Sequence, residues 1–198
     1  MDLDRASRAI EEFLRALDLD PASDPELTRT GELVAEAFAN DLLSGYRLDP
    51  SVILADAMPS GGELVLVRDL PTTIMCPHHL LPASGVVHLA YVPRGRVAGL
   101  GALARLVDCF ARRLTLQETM SQQVADALVA HLGAAAAGCV ADFSPACLTA
   151  RGERRHGARV VSLGTAGETA TIARVVSALS PFTATLDDHR VARGEPAR

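Results

Sequence analysis

Lysine is absent from this chain: all 19 basic residues are arginine. They are scattered along a sequence of formal net charge −5, which excludes the clustered positive face that grips a phosphate backbone, so no nucleic-acid partner is expected. Long apolar runs are missing too. None approaches the roughly 20 residues that a membrane-spanning helix requires, and no membrane association is expected. The opening MDLDRASRAI lacks the basic and then apolar pattern of a secretory signal, which makes the expected location cytoplasmic. Cysteine is scarce, with four in 198 residues. They are too few and too unevenly spaced for a disulfide framework, so each reads as a metal ligand or a core residue.

What is present is an ordinary globular composition, 48% hydrophobic, long enough for one core with an appended subdomain. Ile10, Phe13, Leu14 and Leu17 recur at helical spacing and predict a helix over 5–17, broken by Asp20 and Pro21. A second amphipathic helix is expected over 32–43, ended by Ser44 and Gly45, and the two make an N-terminal helical arm over 1–60. Strands are expected over 63–67 and 86–92. Leu103, Leu106, Val107 and Phe110 then predict a helix over 103–114, followed by a short break holding Gln117 and Glu118 and a second helix over 121–132. Strand-like runs at 138–143, 159–163 and 169–176 complete a domain over 61–180, with a frayed tail over 181–198. Strands flanking a helical pair, without strand–helix alternation, argue for an α+β fold built on an antiparallel sheet.

Cys76 and His79 lie three residues apart in Met75-Cys76-Pro77-His78-His79, close enough for one turn of chain to present thiolate and imidazole to a single ion. Zinc suits sulfur and nitrogen donors, and a catalytic site keeps three protein ligands and one open position. Cys147 is the natural third ligand, because Cys109 falls in an apolar helix and Cys139 in a strand-like run, where both read as core thiols. A lone Cys-x-x-His also fits a buried cysteine beside surface histidines, or a four-ligand structural zinc that includes His78.

The run MCPHHLLPASGVVHLAYVP, then GLGALARLVDCFARRLTLQE, then ACLTARG, resembles GTP cyclohydrolase I. The resemblance covers residues 74–152 well and the N-terminal helices more loosely. It implies a tunnelling fold, a toroidal homodecamer and active sites at subunit interfaces. It also implies a zinc hydrolase acting on a cyclic amidine, in which activated water opens the imidazole ring of a purine at C8, formate leaves and the ribose carbons recyclise into a pterin. Coordination serves this chemistry by lowering the pKa of water from 15.7 to about 7. By the same resemblance Cys76, His79 and Cys147 are the Zn2+ ligands and His78 is a catalytic proton shuttle. Glu118, in its Gln117-Glu118 pair, reads the guanine N1-H and exocyclic amine, a buried polar partner of the kind that discriminates strongly. Gln117, Arg105 and Arg151 complete the substrate-binding set, the arginines facing the triphosphate.

Four departures from the family pattern cluster. A Ser-Lys pair before Leu-Ala-Arg is replaced by Gly101 and Ala102. An arginine and a lysine of an N-terminal helix are replaced by Leu33 and Glu36. The second catalytic histidine, two residues before the last ligand, is Pro145, which offers no titratable group. Pro77 replaces a glutamate. Drift in a lysine-free chain would put arginine at the lysine positions, and neither carries it. The expected substrate is therefore a guanine-like heterocycle with few or no phosphates; His156 is a spatial substitute for the lost histidine only as a minor reading, since a loop histidine is more often simply exposed. The alternatives are a genuine GTP cyclohydrolase I making dihydroneopterin triphosphate, a non-catalytic zinc-containing pterin- or purine-binding homologue, and a QueF-like nitrile reductase on the same fold.

Overall fold

Asp2 starts the first helix, its carboxylate accepting the N–H of Arg5 at 2.9 Å to cap α1 (Leu3–Ala16). The computed structural model describes residues 1–183. Helix α1 packs on α2 (Thr30–Ala37), and Gly31 makes the approach close: a Cβ there would stand 2.7 Å from the Ser7 carbonyl oxygen. The expected helix over 32–43 changes geometry after Ala37, passing into a π-helical turn at Phe38–Leu42 and a 3-10 turn at Ser44–Arg47. A short α3 (Pro50–Ile53) follows, capped by the Asp49 carboxylate on Ser51 N–H.

The two-residue strands β1 (Met58–Pro59) and β4 (Arg96–Val97) pair with each other. The main sheet has four strands, β2 (Val65–Met75), β3 (Pro82–Val92), β5 (Ala136–Pro145) and β6 (Val160–Gly167), in the order β2-β3-β5-β6 with every pair antiparallel. Side chains alternate across it. Val87, Leu89 and Tyr91 of β3 and Ala137, Cys139 and Phe143 of β5 pack against α4 (Leu100–Ala111) and α5 (Gln117–Leu132), the expected helical pair. Gly164 lets α5 sit directly on β6, since a Cβ there would meet the Gln122 backbone nitrogen at 2.4 Å. The architecture is the antiparallel α+β one expected.

Two expectations are corrected. The break between the paired helices spans only Arg112 to Leu116, so Gln117 and Glu118 begin α5 instead of preceding it. The run over 169–176 is helical, part of α7 (Thr169–Thr183). Thr169, Thr171, Ile172, Val175 and Val176 bias it toward a strand, but that preference spans only about 1 kcal/mol. Val175 and Leu179, four residues apart, are both fully buried against the second face of the sheet, with Ala90, Val92, Ala136 and Val140. Burial is worth about 1.5–3 kcal/mol for each such side chain, so packing overrides propensity. The same helix leaves β5 covered on both faces. The expected tail over 181–198 begins inside α7, and residues 184–198 lie outside the described part.

At the far edge of this second face, the register of β2 shifts between Val67 and Leu70. Asp69 there takes a φ of 56° and donates its N–H to His88 Nδ1 at 3.1 Å. The His88 ring stacks on Phe182 of α7, centroids 4.0 Å apart.

Candidate metal centre

Strand register brings the site together. Met75, the last residue of β2, pairs with Pro82, and Ala83 beside it pairs with Pro145, the last residue of β5. Three strand ends therefore lie side by side, with Cys76 one residue beyond the first and Cys147 two residues beyond the last. Residues 76–81 form a tight loop, closed by Cys76 N–H on the Leu81 carbonyl at 3.0 Å and Leu80 N–H on the Cys76 carbonyl at 2.9 Å. Leu80 pays for the closure with a φ of 51°. Cys147 rides on α6 (Ala146–Thr149), a single turn that starts where β5 stops.

One donor atom each from Cys76, His79 and Cys147 lies within 4.8 Å of the others, the one such cluster among the described residues. Two thiolates on a tetrahedral zinc stand about 3.8 Å apart, so the three converge closely enough for one ion. Both cysteines are half-buried and His79 is exposed, which leaves an open side. Cys109 and Cys139 are fully buried in the core, as expected, and burial pushes the Cys139 thiol up to about 12. Neither can serve as a ligand.

His78 is exposed, with Nδ1 3.8 Å from Cys76 Sγ. When Cys76 is a thiolate, Nδ1 must carry the proton that it donates to sulfur, and the basic nitrogen is then Nε2. On the other side, Arg151 Nη1 donates to His79 Nε2 at 2.9 Å.

The connection from α4 to α5 reaches the same end of the sheet. Leu114 bridges Met75, and Thr115 N–H donates to the Met75 carbonyl at 3.1 Å. A cleft of about 330 Å³ opens there, lined by Pro77, Leu114, Thr115, Leu116 and Thr119 among others. Glu118, second residue of α5, is exposed, whereas Gln117 is buried. Gln117 was expected to bind substrate, but its amide gives its N–H groups to the carbonyls of Ala141 at 2.9 Å and Val160 at 2.7 Å. Both donors are committed to the sheet. It is a fastener joining α5 to β5 and β6, a role invisible in sequence because the carbonyls lie 24 and 43 residues away. Arg105 is exposed on α4 and makes no ion pair among the described residues. Ala102 is half-buried, and Leu33 and Glu36 are exposed on α2. His156 is an exposed loop residue, bonded through its N–H to the Arg154 carbonyl.

A sequence model described as GTP cyclohydrolase I matches residues 6–180. GTP cyclohydrolase 1 of Corynebacterium glutamicum is 42% identical over 160 residues, 79% of this chain and 81% of that protein. GTP cyclohydrolase 1 of Campylobacter lari is 40% identical over 154 residues, 77% of this chain and 80% of that protein. Among solved structures, the apo archaeosine synthase QueF-Like aligns with a TM-score of 0.46 at 18% identity, covering 56% of this chain and 99% of that one.

Proposed function

This chain belongs to the GTP cyclohydrolase I family, and from that premise we propose that it is a genuine GTP cyclohydrolase, hydrolysing GTP to formate and dihydroneopterin triphosphate. The observation that carries the proposal is the convergence of Cys76, His79 and Cys147 at one end of the sheet, in a chain 42% identical to a named GTP cyclohydrolase 1 over most of its length. Identity of that extent favours the shared substrate over the phosphate-poor one that Ala102, Leu33 and Glu36 suggested.

A zinc ion held by the two thiolates and the imidazole would supply a strong nucleophile from water at neutral pH. The chain's own residues do the rest. Glu118 accepts hydrogen bonds from the guanine N1-H and exocyclic amine, fixing the base on α5. Gln117 holds that end of the helix to the sheet. Nε2 of His78 takes and returns the proton that ring opening moves, work typically worth about 10² to 10⁴ in rate. With proline at 145, His78 carries this alone or shares it with His156. Arg105 and Arg151 face the phosphates.

The proposed enzyme works as a homo-oligomer, the toroidal decamer that the family implies. Phe13 is 60% exposed, Val52 71% and Leu100 73%, apolar surface that subunit contact would bury. No helix among the described residues is long and apolar enough to cross a membrane.

The deciding experiment supplies GTP to zinc-loaded protein and measures released formate together with pterin fluorescence after oxidation. Both products are expected, and a chelator or Cys147→Ala should abolish them. Ring opening of guanosine or guanine but not GTP would restore the diverged-substrate reading. Binding without turnover of any of these would make the chain a non-catalytic homologue.

A further inference from the structure

The segment 151–159 reads Arg-Gly-Glu-Arg-Arg-His-Gly-Ala-Arg, a concentration of positive charge that the scattered arginines elsewhere conceal. Its far end is clamped by Arg159, whose Nε donates to the Asp142 carboxylate at 2.7 Å and Nη2 to the Asp142 carbonyl at 2.8 Å. Its near end folds onto the metal-bearing turn, with Arg155 N–H on the Leu148 carbonyl at 3.0 Å and Arg154 N–H on the Arg151 carbonyl at 3.2 Å. The loop is thus a strap fixed at the candidate metal centre.

The two middle arginines are not used by the fold. Arg154 is exposed and makes no ion pair among the described residues. Arg155 meets only Glu153, at 3.8 Å with both side chains more than 70% exposed, and such pairs contribute about 1 kcal/mol or less. In a chain of net charge −5, two guanidinium groups held beside the reaction centre and facing solvent form a local anion trap. Guanidinium forks match phosphate oxygens in bidentate geometry and remain charged at every working pH. Elsewhere the positions that suggested a phosphate-poor substrate carry no cation: α2 has Leu33 and Glu36 and no basic residue, and α4 has Ala102 with Arg105 as its one basic residue.

We propose that Arg154 and Arg155 form a subsite for the polyphosphate tail of the nucleotide substrate, supplying from the strap the charge missing at positions 33, 36 and 102 and adding to that of Arg105 and Arg151. The ligand is a linear polyphosphate, and the subsite deepens the GTP cyclohydrolase reading on which it rests. It also makes the residues at 33, 36 and 102 compatible with a triphosphate.

The test compares wild type with Arg154→Ala/Arg155→Ala, using Arg8→Ala on α1 as a charge control. For the double variant, KM for GTP should rise about tenfold, the equivalent of one charge-assisted hydrogen bond, while kcat stays within about twofold. Affinity of the zinc-loaded protein for inorganic tripolyphosphate, read by calorimetry, should fall by a similar factor and weaken with added salt. Arg8→Ala should leave both unchanged. KM and tripolyphosphate affinity unaltered in the double variant would overturn the subsite, even with vigorous GTP turnover. Should wild type not turn over GTP at all, the tripolyphosphate titration still decides: a drop confined to the double variant upholds the strap as an anion site, and equal affinity removes it.

Discussion

Arg151 and His79 share a single lone pair: Nη1 of the arginine donates to Nε2 of the histidine at 2.9 Å, and a neutral imidazole has only one nitrogen free to accept. A metal on either ring nitrogen needs the same electrons. If it takes Nε2 it displaces the guanidinium, and if it takes Nδ1 then Nε2 carries a proton and can no longer accept. A zinc ion on His79 would therefore release Arg151 from the ring.

Arg151→Ala should accordingly bind zinc more tightly than wild type, by about two- to tenfold, the worth of one released hydrogen bond of about 0.5–1.5 kcal/mol. Its affinity for GTP should fall. Chelator competition measures the first and KM the second. Weaker zinc binding would show that Arg151 supports the metal site instead of competing for it.

The four cysteines should separate cleanly by reactivity. Cys139 is fully buried with its pKa pushed up to about 12, and burial also raises that of Cys109 against the opposing charge of Arg113. A thiolate is the reacting species, so native zinc-free protein should titrate two thiols with Ellman's reagent and zinc-loaded protein none. Cys76→Ala and Cys147→Ala should each lower bound zinc from one per chain to near zero. Retention of zinc by either variant would remove that residue from the ligand set.

Neighbouring residues of α5 should fail in different ways. Gln117→Ala leaves the carbonyls of Ala141 and Val160 without their partner, at a cost of about 1–3 kcal/mol, and thermal unfolding should detect it. Glu118→Ala touches an exposed side chain and should leave the midpoint unmoved. It should lower kcat/KM for GTP by about 10² or more, the value of losing hydrogen bonds to a carboxylate. Equal stability losses in the two variants would contradict the division of labour.

Stability should decline on the acid side through His88. Burial lowers its pKa from the ordinary 6.5, with Arg68 adding to the effect and Asp69 and Asp142 opposing it. As pH falls below 6.5 the unfolded chain takes up a proton that the folded one refuses. Stability is then lost from that point down to the folded value and levels off below it. Unfolding midpoints of wild type and His88→Gln, measured from pH 7.5 to 5, should converge as pH falls. Parallel curves would mean that His88 titrates alike in both states.

How much of this was readable beforehand depended on the range of the interaction. Periodicity within a dozen residues gave the helical arm, the paired helices and all four main strands in part, because side-chain direction repeats with backbone geometry. It failed at 169–176, where β-branched residues form a helix. The cause is the second face of the sheet, where Val175 and Leu179 meet Ala90, Val92, Ala136 and Val140 from far earlier in the chain, which no local window contains. Among the candidate ligands, Cys76 and His79 were visible as neighbours in sequence. Their meeting with Cys147 is a matter of register, Met75 against Pro82 and Ala83 against Pro145. Residue types determined the donor chemistry available to this chain: sulfur and imidazole for a metal, carboxylate for a base and guanidinium for phosphate. Tertiary structure alone decided which of those groups act together: it gave Gln117 to the sheet, set Arg151 against His79 and held Arg154 and Arg155 outward on a strap. Hydrogen bonds and strand pairing over such separations form only after the chain has folded.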